Sequence, residues 1–423
     1  MTGRAAPDLS RPGVRRRRQE TRPAAGLIDK EPIWSPPPAP AARKDRKTPS
    51  PEMRAQGKAY YCNYYVYFYL HDRENAMTKG ELLAAIGRDE TIEGRDLGGL
   101  DLSGTDLSGA RFENVSFRGA DLTGARIQRT GFKGCDFFGA VLSDVDLTKV
   151  LWMRMNLRGV ILRRAILHRA VLSGADLSAA DLAGADISHA VLDNANLENA
   201  QLTGARVFRT MLYRASLKGA DLSRADLSRA IFFAADLSGA RLQGAKFFKT
   251  FLRDCNLSGQ DFREADFTMC QAGGADCRRS DFTGADITMT NFMNADFTGA
   301  ALEGVRGRRA VFLDAVLPGV SLRGADLAQA CFEGADLTRA DLTGANLEQA
   351  LFNRAVCPGT KFLDARCDYT DFSHADLRAA DFSGARLFRA NLHRIREEQT
   401  KWQGANREAA LATDPDLAAA EDT

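Results

Sequence analysis

The sequence predicts an all-β chain wound into a solenoid, and three observations carry the prediction. From Leu97 to Leu392 every fifth residue is apolar with five weak exceptions, Ala272, Cys277, Gly307, Cys357 and Cys367, and the phase never slips in sixty repeats. A step of five rotates by about 140° on an α-helix and alternates faces on a straight strand, so neither regular element keeps these residues on one side. Within a repeat such as Ala285-Asp286-Ile287-Thr288-Met289, Ala285 and Ile287 point inward while Asp286 and Thr288 point out, the two-residue period of a strand. The fifth residue is left at a corner. Glycine is common there, as at Gly104, Gly124, Gly184 and Gly284, because it adopts turn dihedrals without steric cost.

A chain of 423 residues would ordinarily divide into two or three globular domains, but a repeat array has no such limit on core growth. Lys and Arg total 57 against 55 Asp and Glu, so the charge balance points neither to nucleic-acid binding nor to acidic mimicry. No apolar run approaches the roughly 18 to 20 residues that span a bilayer, and the N-terminal arginines are not followed by a secretory apolar region. The expected address is therefore the cytoplasm.

Residues 1–58 hold ten of the thirteen prolines and the basic run Arg15 to Arg18, the composition of a disordered arm. Residues 59–76 form a linker that carries six of the eight tyrosines. Thr78 and Glu81 have the spacing of a helix capping box, with Leu82, Leu83 and Ile86 as an apolar face, so 77–91 is expected to be a helix covering one end of the solenoid. Met77 also reads as a natural translation start. The solenoid is expected over 92–394, and 395–423 as a C-terminal cap and acidic tail.

Tandem units such as Gly174-Ala175-Asp176-Leu177 and Gly324-Ala325-Asp326-Leu327 resemble the pentapeptide-repeat family over about seven tenths of the chain. The resemblance implies a right-handed quadrilateral β-helix with twenty residues per coil, hence about fifteen coils, and Leu or Phe stacked inside. Met77 to Gly94 and Phe382 to His393 are also similar to pentapeptide proteins associated with bacterial type VI secretion. Because this fold hosts unrelated roles, function has to be sought in particular residues.

With twenty residues per coil, residues twenty apart stack, and the sequence sorts into four faces. One carries Asp101, Asp121, Asp181, Asp221, Asp261 and Asp281, and its neighbour Asp96, Asp136, Asp176, Asp236, Asp276 and Asp296. Each Asp is expected to bond backbone within its own turn. A third face places Leu151, Val171, Val191, Met211, Ile231 and Phe251 at that outward position, with Met153, Tyr213 and Phe233 beside them. Contiguous exposed apolar surface marks a contact surface. At its corner Arg129, Lys149, Arg169, Arg209, Arg229 and Lys249 form a basic stripe, with His189 in the one gap.

Cys135, Cys255, Cys270, Cys277, Cys357 and Cys367 fall on inward positions as apolar filler, whereas Cys331 points outward and Cys62 lies in the tyrosine segment. No Cys-x-x-Cys pair exists, so no structural zinc is expected, and His168 with His189 is the best pair available to a metal. No nucleophile elbow, phosphate loop or metalloprotease motif appears. The reading is a non-enzymatic interaction scaffold without cofactor, metal or small-molecule substrate. Its partner is another protein or a second copy. A peripheral membrane or effector role, through the stripe and neighbouring apolar residues, is the first alternative. A topoisomerase-binding DNA mimic is the second, and it is disfavoured because residues 96–394 carry 36 acidic and 36 basic groups. Phe208 and Phe248 beside the stripe are the features that nucleic acid would use, and nucleic acid is not the expected partner.

Overall fold

The computed structural model describes residues 75–422. The arm at 1–58 and nearly all of the 59–76 linker, with Cys62, lie outside the described residues. Beyond them the backbone does what the five-residue period requires. Parallel bridges join residues twenty apart in four columns, as in Ala76 to Asp96 to Ser116, Asp101 to Asp121 to Val141, Asp106 to Arg126, and Leu151 to Val171. In the last column three rungs lengthen into short strands, β1 (Thr91–Glu93), β2 (Arg111–Glu113) and β3 (Gly131–Lys133), paired in parallel order.

Most five-residue sides end in a tight turn closed by one backbone bond, such as Ala125 N–H to Leu122 O at 2.9 Å. The third residue of that turn takes positive φ, 62° at Gly124, which is why glycine recurs there. All twelve aspartates named for the first two faces accept a hydrogen bond from the backbone N–H two residues on, at 2.8 to 3.2 Å. Asp is thus a turn-forming residue here.

The interior is apolar and laddered. Phe292, Phe312, Phe332, Phe352 and Phe372 stack at centroid separations of 5.5, 4.9, 4.8 and 5.1 Å. From Thr130 on, where Thr replaces Ala on the inward side its hydroxyl donates to a carbonyl of the preceding coil, as Thr210 does to Ile187 O at 2.7 Å, so the polar group stays paired. The exceptions to the apolar period stay inside: Ala272, Cys277, Cys357 and Cys367 are fully buried. A Cβ on Gly307 would stand 2.8 Å from a Leu327 methyl and 3.1 Å from Ile287, so the stacked neighbours fill the missing side chain's volume.

At the N-terminal end α1 (Lys79–Gly87) has both halves of the capping box, Thr78 Oγ1 accepting from Glu81 N–H and the Glu81 carboxylate accepting from Thr78 N–H. Leu82 and Ala85 are its buried residues; Leu83, expected on the apolar face, is exposed because the covering face runs through 82, 85 and 86. At the other end the ladder reaches Leu411, Trp402 stacks on Phe382 at 4.7 Å, and α2 (Pro415–Glu421) follows with Asp414 as its N-cap.

Two coil interfaces depart from this regularity. No bridge joins Arg126 to Asp146 or Gly131 to Leu151, and the backbone bonds that would link Ile127, Arg129 and Phe132 to the next coil are not formed. The second lies between Arg241, Lys246 and the coil of Asp261 and Asp266. Bulky Val150, Trp152, Met155 and Val160 lead one to expect widening over 150–170; the opening instead lies before Trp152, whose ring meets Phe132 edge-on at 5.7 Å. After it the ladder closes again through Asp146 to Ile166 and Leu151 to Val171.

Candidate functional site: an apolar column with a basic corner

The third face is built as its sequence implies. Leu151, Val171, Val191, Met211, Ile231 and Phe251 follow one another along a single bridge column. Leu151 is 68% exposed, Met211 41% and Phe251 46%, while Val171, Val191 and Ile231 are half-buried. Tyr213 and Phe233, also half-buried, stack at 5.5 Å with their rings 10° apart, and Arg214 and Arg253 lie over them at 5.0 and 5.8 Å. Met153 is exposed beside Leu151.

The corner residues Arg129, Lys149, Arg169, His189, Arg209, Arg229 and Lys249 all have φ between 55° and 61°. A non-glycine residue in the left-handed region costs on the order of 1 kcal/mol. Other corners often relieve that cost with glycine, at 104, 124, 184 and 204 for example; this corner has none from 129 to 389. Its side chains are retained against the local backbone preference. His189, however, does not continue the positive stripe. Partial burial, together with His168, Arg209, Arg169 and Arg206, holds its pKa below the ordinary 6.5, so the ring is neutral at pH 7. The stripe is two cationic runs, 129 to 169 and 209 to 249, separated by a neutral imidazole.

The neighbouring aromatics are engaged already. Arg206, Arg209 and Arg229 lie 5.4 to 5.9 Å from the Phe208 centroid, and Lys249 lies 5.1 Å from that of Phe248. Those rings would have to exchange cation contacts for stacked bases, which weakens the case for nucleic acid. His168 and His189 meet edge to face at 5.2 Å.

A different histidine pair has a third partner, one that sequence reasoning missed. His374 Nε2 and His393 Nε2 lie 3.3 and 3.2 Å from the Glu421 carboxylate, and the ligand atoms of the three fall within 4.8 Å of one another. His393 is 3% exposed, and its Nδ1 accepts from Asp414 N–H at 3.2 Å. That places the ring hydrogen on Nε2, where it donates to Glu421. A cation at Nε2 would have to displace this hydrogen, and Arg394 already pairs with the same carboxylate at 3.4 Å. The cluster is arranged to fasten α2 to the last coils rather than to hold a metal. His374 and His393 are nineteen residues apart and share a corner, which was the available signal; Glu421 is twenty-eight residues further on, in what reads as an acidic tail.

Among the described residues, no helix is long and apolar enough to cross a membrane. A parallel coil with twenty residues per bridge step, turning at every fifth residue, defines the class as a β-helical repeat protein. The family model for pentapeptide repeats matches in consecutive segments between residues 96 and 394, and the chain belongs to that family. No curated protein matches it. Among solved structures it is similar to HetL, a pentapeptide repeat protein involved in heterocyst differentiation regulation from Nostoc sp. strain PCC 7120, at 28% identity over 59% of this chain and 90% of that one, with a TM-score of 0.18. It is also similar to QnrB1, a plasmid-mediated fluoroquinolone resistance protein, at 20% identity over 54% and 92%, with a TM-score of 0.24. A pentapeptide repeat protein from the Arabidopsis thaliana thylakoid lumen aligns at 31% identity over 28% and 65%, with a TM-score of 0.11.

Proposed function

We propose that the protein is a non-catalytic, cytoplasmic interaction scaffold, a right-handed prism of about fifteen coils that binds another protein through the apolar column and its basic edge. The supporting observation is the uninterrupted run of six apolar residues, Leu151 to Phe251, at an outward position that on the other faces is often turn-forming Asp or Asn and is mixed with Ser, Gln, Arg, Lys and scattered Val or Ile. Exposed side chains such as Leu151, Met211 and Phe251 become favourable only when a partner removes them from water, at about 25 cal/mol per Å² of apolar area. The cationic runs would select a partner with acidic groups flanking its apolar patch. The similarity of 77–94 and 382–393 to secretion-associated pentapeptide proteins makes a secretion apparatus one source of such a partner.

The triple substitution Met211→Asp, Ile231→Asp, Phe251→Asp tests this reading. Circular dichroism and melting should be close to wild type, while capture of the native partner, or self-association by light scattering, should be lost. A variant that unfolds would show the column to be core under a covering segment, and a folded variant that keeps every partner would remove the face as the binding surface. Membrane binding is the competing outcome: flotation of the wild type with anionic liposomes at low salt, abolished at high salt, would favour it.

A further inference from the structure

The corner beside the apolar column carries charge that the described residues leave unmatched. Its rungs from Lys149 onward are Arg169, His189, Arg209, Arg229 and Lys249, and each backbone N–H from Lys149 to Arg229 donates to the next coil at 2.9 to 3.3 Å. The column is therefore unbroken, and its five steps at about the 4.8 Å strand spacing span about 24 Å. Lys149, Arg169 and Arg209 are exposed, while Arg229 and Lys249 are half-buried. Arginines at other positions find carboxylates, as Arg164 does Asp144 and Arg263 does Asp261, both at 2.6 Å. Among the described residues no cation of this column forms such a pair. The one rung without a permanent charge is His189, and it sits inside the run with two cations before it and three after.

The groups that face His189 are Arg169 and Arg209 on the adjoining rungs, Arg206, and the rings of His168 and Phe208, edge to face at 5.2 and 5.9 Å. The carboxylate on its own side, Asp186, is occupied by Ser188 N–H at 2.9 Å and by Arg206 at 3.8 Å. A neutral imidazole here spares the column one more like charge, and a carboxylate laid along the corner reverses that balance. From this arrangement we infer that the corner binds an extended acidic peptide and takes up a proton at His189 as it does so, the imidazolium joining the cations on either side into one stripe. The inference rests on the reading of this face as a protein-binding surface and adds how that binding is controlled. The free imidazole has its pKa held below 6.5, and neighbouring carboxylates raise it. Between the two values the complex holds more protons than the free protein, so affinity rises as pH falls through that interval. At about 3.3 Å per residue, about seven extended residues cover the run. An acidic polypeptide is favoured over nucleic acid because Phe208 and Phe248, the rings on which bases would stack, already lie against Arg206, Arg209, Arg229 and Lys249.

The test titrates an end-capped oligo-aspartate of about eight residues into the full-length protein by calorimetry at low salt, at pH 8 and pH 5.5. Aspartate, with a pKa of about 3.9, stays ionised at both. Affinity should be about fivefold higher at pH 5.5, the effect of one added exposed ion pair, and heats recorded at pH 6.5 in buffers of different ionisation enthalpy should show proton uptake. His189→Gln should bind weakly at both pH values, and His189→Lys tightly at both. Gln329 and Lys249 stand at this same corner with φ of 61° and 57°, so the fold accepts either residue. Binding that does not change with pH, or a pH dependence that survives in His189→Gln, would overturn the proton uptake while leaving the face as a binding surface. No binding of the oligo-aspartate at either pH would overturn the acidic ligand, and tighter binding of a thymidine oligonucleotide would give the corner to nucleic acid instead. The partner experiment with the variant at 211, 231 and 251 leaves this corner unchanged, so the two tests fail independently.

Discussion

The bridge column that carries the apolar face divides into two halves with the same backbone and different chemistry. From Leu151 to Phe251 every rung is apolar, whereas from Gln271 to Asn391 the rungs alternate between Gln, Asn, Val, Cys, Leu and Asp. In the second half polar rungs pair along the column, Asn391 Nδ2 donating to Asp371 Oδ1 at 2.9 Å and Ser373 N–H to the same oxygen at 2.9 Å. Both halves pair in parallel at the twenty-residue step. The coil therefore does not demand apolar residues at this position.

The comparison is broken most strongly from inside. Leu177 and Leu337 are fully buried, one in each half, and Leu177→Asp or Leu337→Asp should each cost several kcal/mol by burying an unpaired carboxylate. Melting curves should show similar losses, because the interiors of the halves are alike; a mild effect in one would show that its core is looser. A smaller effect is expected on the outside. Asp371→Leu, which makes a polar rung apolar, should cost about 1 kcal/mol through its two lost hydrogen bonds. Denaturant midpoints would check it, and a loss as large as that of Leu337→Asp would mean that this column is not freely interchangeable.

The last two predictions sharpen the contrast without changing global stability. Hydrogen bonding from His393 holds the Glu421 carboxyl below its ordinary value of 4.5, with further help from His374. A depressed carboxyl contributes stability above its unfolded value and loses it as pH falls through the folded one, so α2 should stay fastened at pH 7 and detach below about pH 4.5. Hydrogen exchange across 415–421 should rise there while the coils remain protected. Arg394 and Asp422, which also pair in this cluster, set how abruptly it does so. Thiol chemistry gives the least perturbing readout. Burial pushes Cys135 up to about 11 and Cys255 and Cys270 up to about 12, and also raises Cys277, Cys357 and Cys367. With Cys62 replaced by Ser, a maleimide should label Cys331 alone at pH 7.5 and leave the melting temperature unchanged, since Cys331 is the partly exposed rung of the second half.

The period was legible because each repeat repeats one physical problem, an apolar residue facing in and a corner that wants positive φ. Asp-turn bonds followed from it at all twelve named aspartates. What the sequence did not reveal depends on neighbours that come together only in the coil. The lowered pKa of His189 arises from its partial burial and then from four charged or titratable side chains around it, and the opening lies where one indole meets Phe132. The clasp on α2 joins a residue of the tail to two histidines that share a corner on adjacent coils. Asp414-Pro415 did signal the start of that helix, but nothing local tells where its far end lands.

The twenty-residue step also constrains how such a chain can change length. Loss or duplication of one whole coil would return every later residue to its own column, lengthening or shortening the apolar run without disturbing it. A five-residue deletion keeps each interior residue inside and every corner a corner, yet it rotates all that follows by a quarter turn, carrying Met211, Ile231 and Phe251 onto a neighbouring side. Fold and surface thus answer to different arithmetic: the core counts in fives, while a binding face survives only changes in twenties.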